Sequence, residues 1–155
     1  MRAKYNSLAS TTLCFDFGNT RLKAALFVDS ALEEIIILQD GSHDAIISLL
    51  EKFQPQKSVL ASVINHDVQI EQLLSSKTKF HKLSHLSKLP FTTTVGKPDT
   101  IGADRLALSA AAVYFYPEKN NLVIGLGTCI TYNFINKHRQ FVGGAISPGM
   151  EMRLQ

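Results

Sequence analysis

The sequence predicts a mixed α/β fold, and three observations predict it. Three short apolar runs near the N-terminus are joined by two tight turns. Segments of helical period and of strand length then alternate. A second group of strands gathers around glycine-rich corners after residue 121. Residues 13–17 form a buried-strand run that ends in the turn pair Gly18 and Asn19. Residues 21–28 place Leu22, Ala24 and Leu26 on one face and Lys23 on the other, the period-two pattern of a strand. Asp29 and Ser30 turn the chain into the β-branched run 32–39. Connections this short make an antiparallel meander.

The period then changes. Residues 44–53 place Ile46, Ile47, Leu49, Leu50 and Phe53 at helical spacing, with Ser42 as N-cap and Pro55 as stop. Residues 58–64 read as a buried strand, 67–74 as a short helix and 79–83 as another strand. The order β-β-β-α-β-α-β is that of a ribonuclease H-like unit, a meander extended by parallel strands through helical crossovers. Residues 87–101, carrying Pro90, Gly96 and Pro98, read as a loop. The clearest helix covers 102–116, with Leu106, Ala110 and Val113 on one stripe and Pro117 closing it. Runs at 122–124, 130–135 and 140–146 start a second sheet, and residues 150–154 open a helix. The expected organisation is an extension over 1–12, a first domain over 13–117, and over 118–155 the first strands of an incomplete second domain. Three strands without a covering helix make a weak core, so more chain or a partner is expected to complete this half.

Composition excludes several classes. No apolar run reaches the roughly 18–20 residues of a membrane span. Residues 1–12 lack the apolar centre of a signal peptide, so the expected location is cytoplasmic. Cys14 and Cys129 sit in apolar strand-like runs, which suits packing in a reducing compartment. The net charge of +3 is mild, and Lys77, Lys79, Lys82 and Lys88 with His81 and His85 include no arginine. They read as a solvated face, and no nucleic-acid binding is expected. His81 and His85 lie in strand and loop rather than on one helical face, and neither is taken as a metal ligand.

Four glycine-rich segments carry chemistry. Asp16, Phe17, Gly18, Asn19 and Thr20 form a strand corner. A carboxylate there can hold a metal ion, glycine admits a phosphate, and amide and hydroxyl groups donate to it. An Asx turn with Asp16 as a polar cap reads the same residues equally well. Residues 125–131 offer Gly125 and Gly127, but Ile130 stands at the third glycine position of a dinucleotide fingerprint and strand follows, not helix. No Walker A loop occurs. What remains is a second strand–turn–strand corner with Thr128 and Thr131 as hydroxyl donors. Two such corners, one per sheet, suit a phosphate chain gripped between two domains. Gly102, Ala103, Asp104 and Arg105 open a helix, where the dipole suits an acidic side chain; a simple first-turn acid with a surface Arg105 reads them as well. Residues 143–149 put small residues before a helix, an anion site or a tight connection.

Taken together these segments resemble the type III pantothenate kinase family. Residues 16–20 look like its D-x-G-N-T motif. Pro98 with residues 102–105 resembles its P-x-x-x-G-A-D-R segment. Residues 127–131 are similar to the later part of its D-x-G-T-x-x-T-x-D motif, and 143–149 to its G-G-x-I-x-P-G loop. The resemblance covers the whole chain and about the first two-thirds of a family member. It implies an actin-like ATPase fold of two ribonuclease H-like domains. It further implies ATP-dependent phosphorylation of pantothenate to 4'-phosphopantothenate, with Mg2+ and a monovalent cation (K+ or NH4+), in a homodimer. Asp104 is then the catalytic base. Asp16, Gly18, Asn19, Thr20, Lys23, Gly127, Thr128 and Thr131 bind ATP phosphates, with Asp16 also the metal ligand. Gly102, Ala103 and Arg105 bind the substrate. Three positions depart from the family pattern: Gly125 and Asn133 replace the aspartates that open and close the second motif, and Val95 stands for a tyrosine. An alternative stays open on these residues, a non-catalytic relative acting as a regulatory or Bvg accessory factor-like protein.

Overall fold

The computed structural model describes residues 9–154, in two compact units that divide between Lys82 and Leu83. In the first unit, β1 (Thr11–Phe17), β2 (Leu22–Val28) and β3 (Ala31–Leu38) form the expected meander. After it come α1 (His43–Phe53), β4 (Lys57–Ser62), α2 (Val68–Lys77) and β5 (Lys79–Lys82). The sheet order is β3-β2-β1-β4-β5, antiparallel through the meander and parallel from β1 to β4 to β5. This is the ribonuclease H-like arrangement that the element order predicts.

Alternation along β1 puts Leu13, Phe15 and Phe17 on the buried face and leaves Thr12, Cys14 and Asp16 half-buried on the other. Those three side chains pack with Leu26, Leu60, Ile46, Ile70 and Leu74 into one core beneath α1 and α2. Ser42 caps α1 as expected, its Oγ accepting from the Ala45 N–H at 3.2 Å. The helix ends on Gln54, whose φ of 46° is left-handed. α2 runs three residues past the expected end, to Lys77, where the Thr78 hydroxyl donates to the Leu74 carbonyl at 2.8 Å. Of the expected extension, residues 1–8 lie outside the described residues. Thr11 and Thr12 correct its boundary, because they belong to β1, with the Thr11 N–H donating to Gln56 Oε1 at 2.9 Å.

The second unit holds β6 (Thr92–Thr93), a single 3-10 turn at Pro98–Thr100, α3 (Ala103–Phe115), β7 (Asn121–Leu126), β8 (Cys129–Ile135), β9 (Gln140–Pro148) and α4 (Met150–Arg153). Its sheet order is β6-β9-β8-β7. Two expectations are corrected here. Part of the 87–101 segment is strand rather than loop, because β6 pairs in parallel with β9. The second sheet also has a covering helix: α3 packs on β7 and β8, and Leu106, Ala112 and Val113 join Ile135 and Phe141 in a core. The compact units therefore part ahead of residue 117, where the sequence reading draws its domain boundary. Leu122, Ile124 and Leu126 on the edge strand β7 are exposed, as is their neighbour Phe134 on β8.

Both cysteines are free and half-buried, and burial pushes the Cys14 thiol above its ordinary value. Among the described residues no helix is long and apolar enough to cross a membrane.

A left-handed backbone costs a residue other than glycine about 1 kcal/mol, and Gln54 carries that cost at the end of α1. Gln54→Gly is expected to stabilise the protein by about 0.5–1 kcal/mol in urea unfolding. An unchanged or lower midpoint contradicts this reading of the cap.

Candidate active site

In the first unit the β1–β2 hairpin assembles its predicted residues at one end. Register places Asp16 opposite Lys23, and Lys23 Nζ lies 3.6 Å from Asp16 Oδ2, both side chains about half-exposed. The Gly18 N–H donates to the Arg21 carbonyl at 3.2 Å and closes the turn. Asn19 and Thr20 stand at its exposed tip. An ion pair this long and this wet contributes little to stability, so Lys23 is free to turn its ammonium to an arriving phosphate. Asp16 is a carboxylate with room for further ligands. Magnesium is commonly held by one or two carboxylates with water and substrate phosphates completing its shell, and the corner fits that pattern. Among the described residues no group of three or more His, Cys, Asp or Glu side chains gathers at one point.

In the second unit the predicted residues divide into an exposed corner and a buried knot. Gly127 and Thr128 form the exposed β7–β8 corner, closed by a bond from the Gly127 N–H to the Cys129 carbonyl at 3.1 Å. The Gly149 N–H donates to the Thr128 carbonyl at 2.9 Å, which ties the 143–149 loop to this corner. Thr131 is buried instead, on the side of the sheet that faces α3.

α3 opens at Gly102 with no side-chain cap; Ala103 is buried and Asp104 half-buried in the first turn. Arg105 is buried as well, so the surface reading of that residue is corrected. Its Nε donates to Asn133 Oδ1 at 2.6 Å and its Nη2 to the Tyr132 carbonyl at 3.3 Å. Its guanidinium carbon lies 5.7 Å from the centre of the Phe141 ring. Asn133 is fully buried and spans the knot, its Nδ2 reaching the Val123 carbonyl at 3.4 Å and Thr131 Oγ1 at 3.5 Å. Sequence reasoning noted Asn133 only as a departure, although its place two residues beyond Thr131 put it on the same strand face. Arg105 therefore keeps a full positive charge among neutral partners, and no ion pair to it occurs among the described residues.

Two glycines shape this knot. A Cβ on Gly144 would overlap the Tyr132 carbonyl oxygen and the Arg105 guanidinium, so only glycine lets β9 pass so close. At Gly125 a Cβ would lie 2.6 Å from Thr131 Oγ1 and 3.0 Å from Leu108 Cδ1. The space an aspartate needs there is taken by the Thr131 hydroxyl. One buried polar atom lacks a partner among the described residues: the Ser109 hydroxyl, one helical turn beyond Arg105. A cavity of about 440 Å3 beside the ends of α1 and α2, lined by Leu50, Gln54, Leu73 and Thr78 among others, contains none of the predicted site residues.

A sequence model described as type III pantothenate kinase matches residues 12–155. A type III pantothenate kinase of Christiangramia forsetii is 41% identical over 145 residues, covering 92% of this chain and 60% of that protein. One from Flavobacterium johnsoniae is 39% identical over 146 residues, covering 92% and 59%. This chain thus spans about 60% of the length of the curated relatives it matches. Among solved structures, the type II variant of the Aquifex aeolicus Ppx/GppA phosphatase aligns over 90% of this chain and 52% of its own, at 13% identity and a TM-score of 0.46.

Removing the acceptor of a buried charged donor costs more than an ordinary hydrogen bond. Asn133→Ala is therefore expected to destabilise the protein by about 3 kcal/mol, and Gly144→Ala by about 2 kcal/mol or more. Chemical denaturation measures both, and a loss below about 0.5 kcal/mol in either variant contradicts the knot.

Proposed function

Because this chain belongs to the type III pantothenate kinase family, we propose that it carries the machinery for ATP-dependent phosphorylation of pantothenate, the first step towards coenzyme A. The observation that carries the reading is the opening of α3, where Asp104 and Arg105 follow one another with different surroundings. Arg105 is fixed by neutral groups, so its charge is uncompensated and suits the carboxylate of pantothenate. Gly102 and Ala103 shape the turn that brings the substrate to it. Asp104, half-buried and bound into no ion pair among the described residues, is the acceptor for the substrate's hydroxyl proton.

In this reaction the pantothenate hydroxyl oxygen forms a bond to the γ-phosphorus as the bond from that phosphorus to the ADP oxygen breaks, and the hydroxyl proton passes to Asp104. Such a transfer runs through a loose transition state, so the protein's task is to position groups and to neutralise charge. Lys23 offers a mobile ammonium to the phosphates, and Gly18, Asn19 and Thr20 offer backbone and side-chain donors. Gly127 and Thr128 are the phosphate-directed pair of the second unit, while Thr131 lies buried in the knot under α3. Asp16 would hold Mg2+, which supplies charge neutralisation at the phosphate oxygens when bound. No residue is assigned to the monovalent cation. The reaction is placed in the cytoplasm, in a homodimer for which the exposed Tyr114, Phe115 and Tyr116 at the end of α3 offer an apolar surface.

A coupled ADP-release assay with pantothenate, ATP, magnesium and potassium tests this reading. Turnover that depends on pantothenate is expected, and its absence from folded protein removes the kinase reading. Asp104→Asn is expected to lower kcat by about 100-fold or more without changing the melting temperature. Unchanged turnover in that variant refutes its role as the base.

A further inference from the structure

Outside the motifs above, the first unit contains a chain of four polar side chains. Lys82 Nζ donates to Glu71 Oε1 at 2.7 Å, the same oxygen lies 2.8 Å from His66 Nε2, and His66 Nδ1 lies 3.0 Å from Ser62 Oγ. They come from β5, α2, the β4–α2 connection and the end of β4. The His66 side chain is only 8% exposed, unlike the half-exposed pairs elsewhere in this unit.

The chain ends against the last residue of β1. Ser62 is the register partner of Phe17, the Val63 N–H donates to the Phe17 carbonyl at 3.0 Å, and the His66 ring meets the Phe17 ring edge-on with centroids 5.8 Å apart. Gly18 follows at once. The Lys82 hydrogen bond, stronger than the opposing effect of partial burial, holds the Glu71 carboxyl below its ordinary range, so that group is ionised and only accepts. The imidazole presents N–H to it at Nε2, while Nδ1 meets the Ser62 Oγ, a hydroxyl that also donates to the Ile64 carbonyl at 3.0 Å. Fixing one ring nitrogen through the bond at the other is how proteins lock a histidine's orientation.

We propose that His66 is a positioning residue: the Ser62–His66–Glu71–Lys82 array braces the end of β1 so that residues 18–20 hold one arrangement for a phosphate group. The claim rests on the reading of this corner as a phosphate site, and its test separates the two. Hydrogen exchange is followed at Gly18 and Val63, whose N–H groups are bonded at the corner, and at Gln54, bonded to the Leu50 carbonyl at the end of α1. Ser62→Ala, which removes one hydroxyl, and His66→Phe, which keeps a ring against Phe17, are expected to speed exchange at Gly18 and Val63 about tenfold while Gln54 is unchanged. Affinity for inorganic tripolyphosphate, measured by calorimetry, is expected to fall about threefold to tenfold, and His66→Gln to recover most of both losses. Unchanged exchange at the corner overturns the proposal. An equal rise at all three amides also overturns it, because His66 is then a general structural residue. If the corner amides respond but the parent protein binds no tripolyphosphate, the brace stands and the phosphate reading falls.

Discussion

A buried positive charge constrains the second unit more than any other single feature. Taking a guanidinium out of water costs several kcal/mol unless partners meet it. Arg105 finds them in Asn133, the Tyr132 carbonyl and the Phe141 ring, all on β8 and β9. Those contacts set the height of α3 on its sheet, require glycine at position 144 and hold the first helical turn still. Asp104 occupies that same turn. The rigidity of the proposed base is thus inherited from its neighbour in sequence, a placement more exact than a loop would give.

Much of the fold was legible because hydrophobic period reports burial directly. The meander, α1 and the crossover order follow from apolar spacing, turn pairs and a single serine cap. Where the reading stopped short, the cause is specific. α2 continues through Ser75, Ser76 and Lys77, which carry no apolar signal, and Thr78 ends it with a backbone-directed hydroxyl. β6 is two threonines whose strand character exists only through pairing with β9, far along the chain. An amphipathic stripe on α3 says that it covers a sheet but not which one.

The candidate site divides along similar lines. Asp16 and Lys23 could each be picked out from sequence, and the folded hairpin then sets their pairing. Asn133 and Gly144 could not, since their importance comes from Arg105 on another element folding over them. Thr131 shows the limit of a motif: its residue type suits a phosphate, yet strand alternation turns it under α3, while Thr128 three positions earlier is exposed. His66 lay in an unremarked connection, and only the folded chain shows how deeply its ring sits.

β7 carries a consequence of another kind. It is a terminal strand of its sheet, with the sequence Asn-Leu-Val-Ile-Gly-Leu, and it contains no charge and no proline. Proteins usually blunt such margins with lysine, proline or a bulge, because a free row of backbone donors and acceptors recruits further strands. Among the described residues no strand pairs with this margin, and its outward side chains are aliphatic. A strand laid along that margin, from this polypeptide or another, would therefore find backbone groups to pair with and an aliphatic surface beside them.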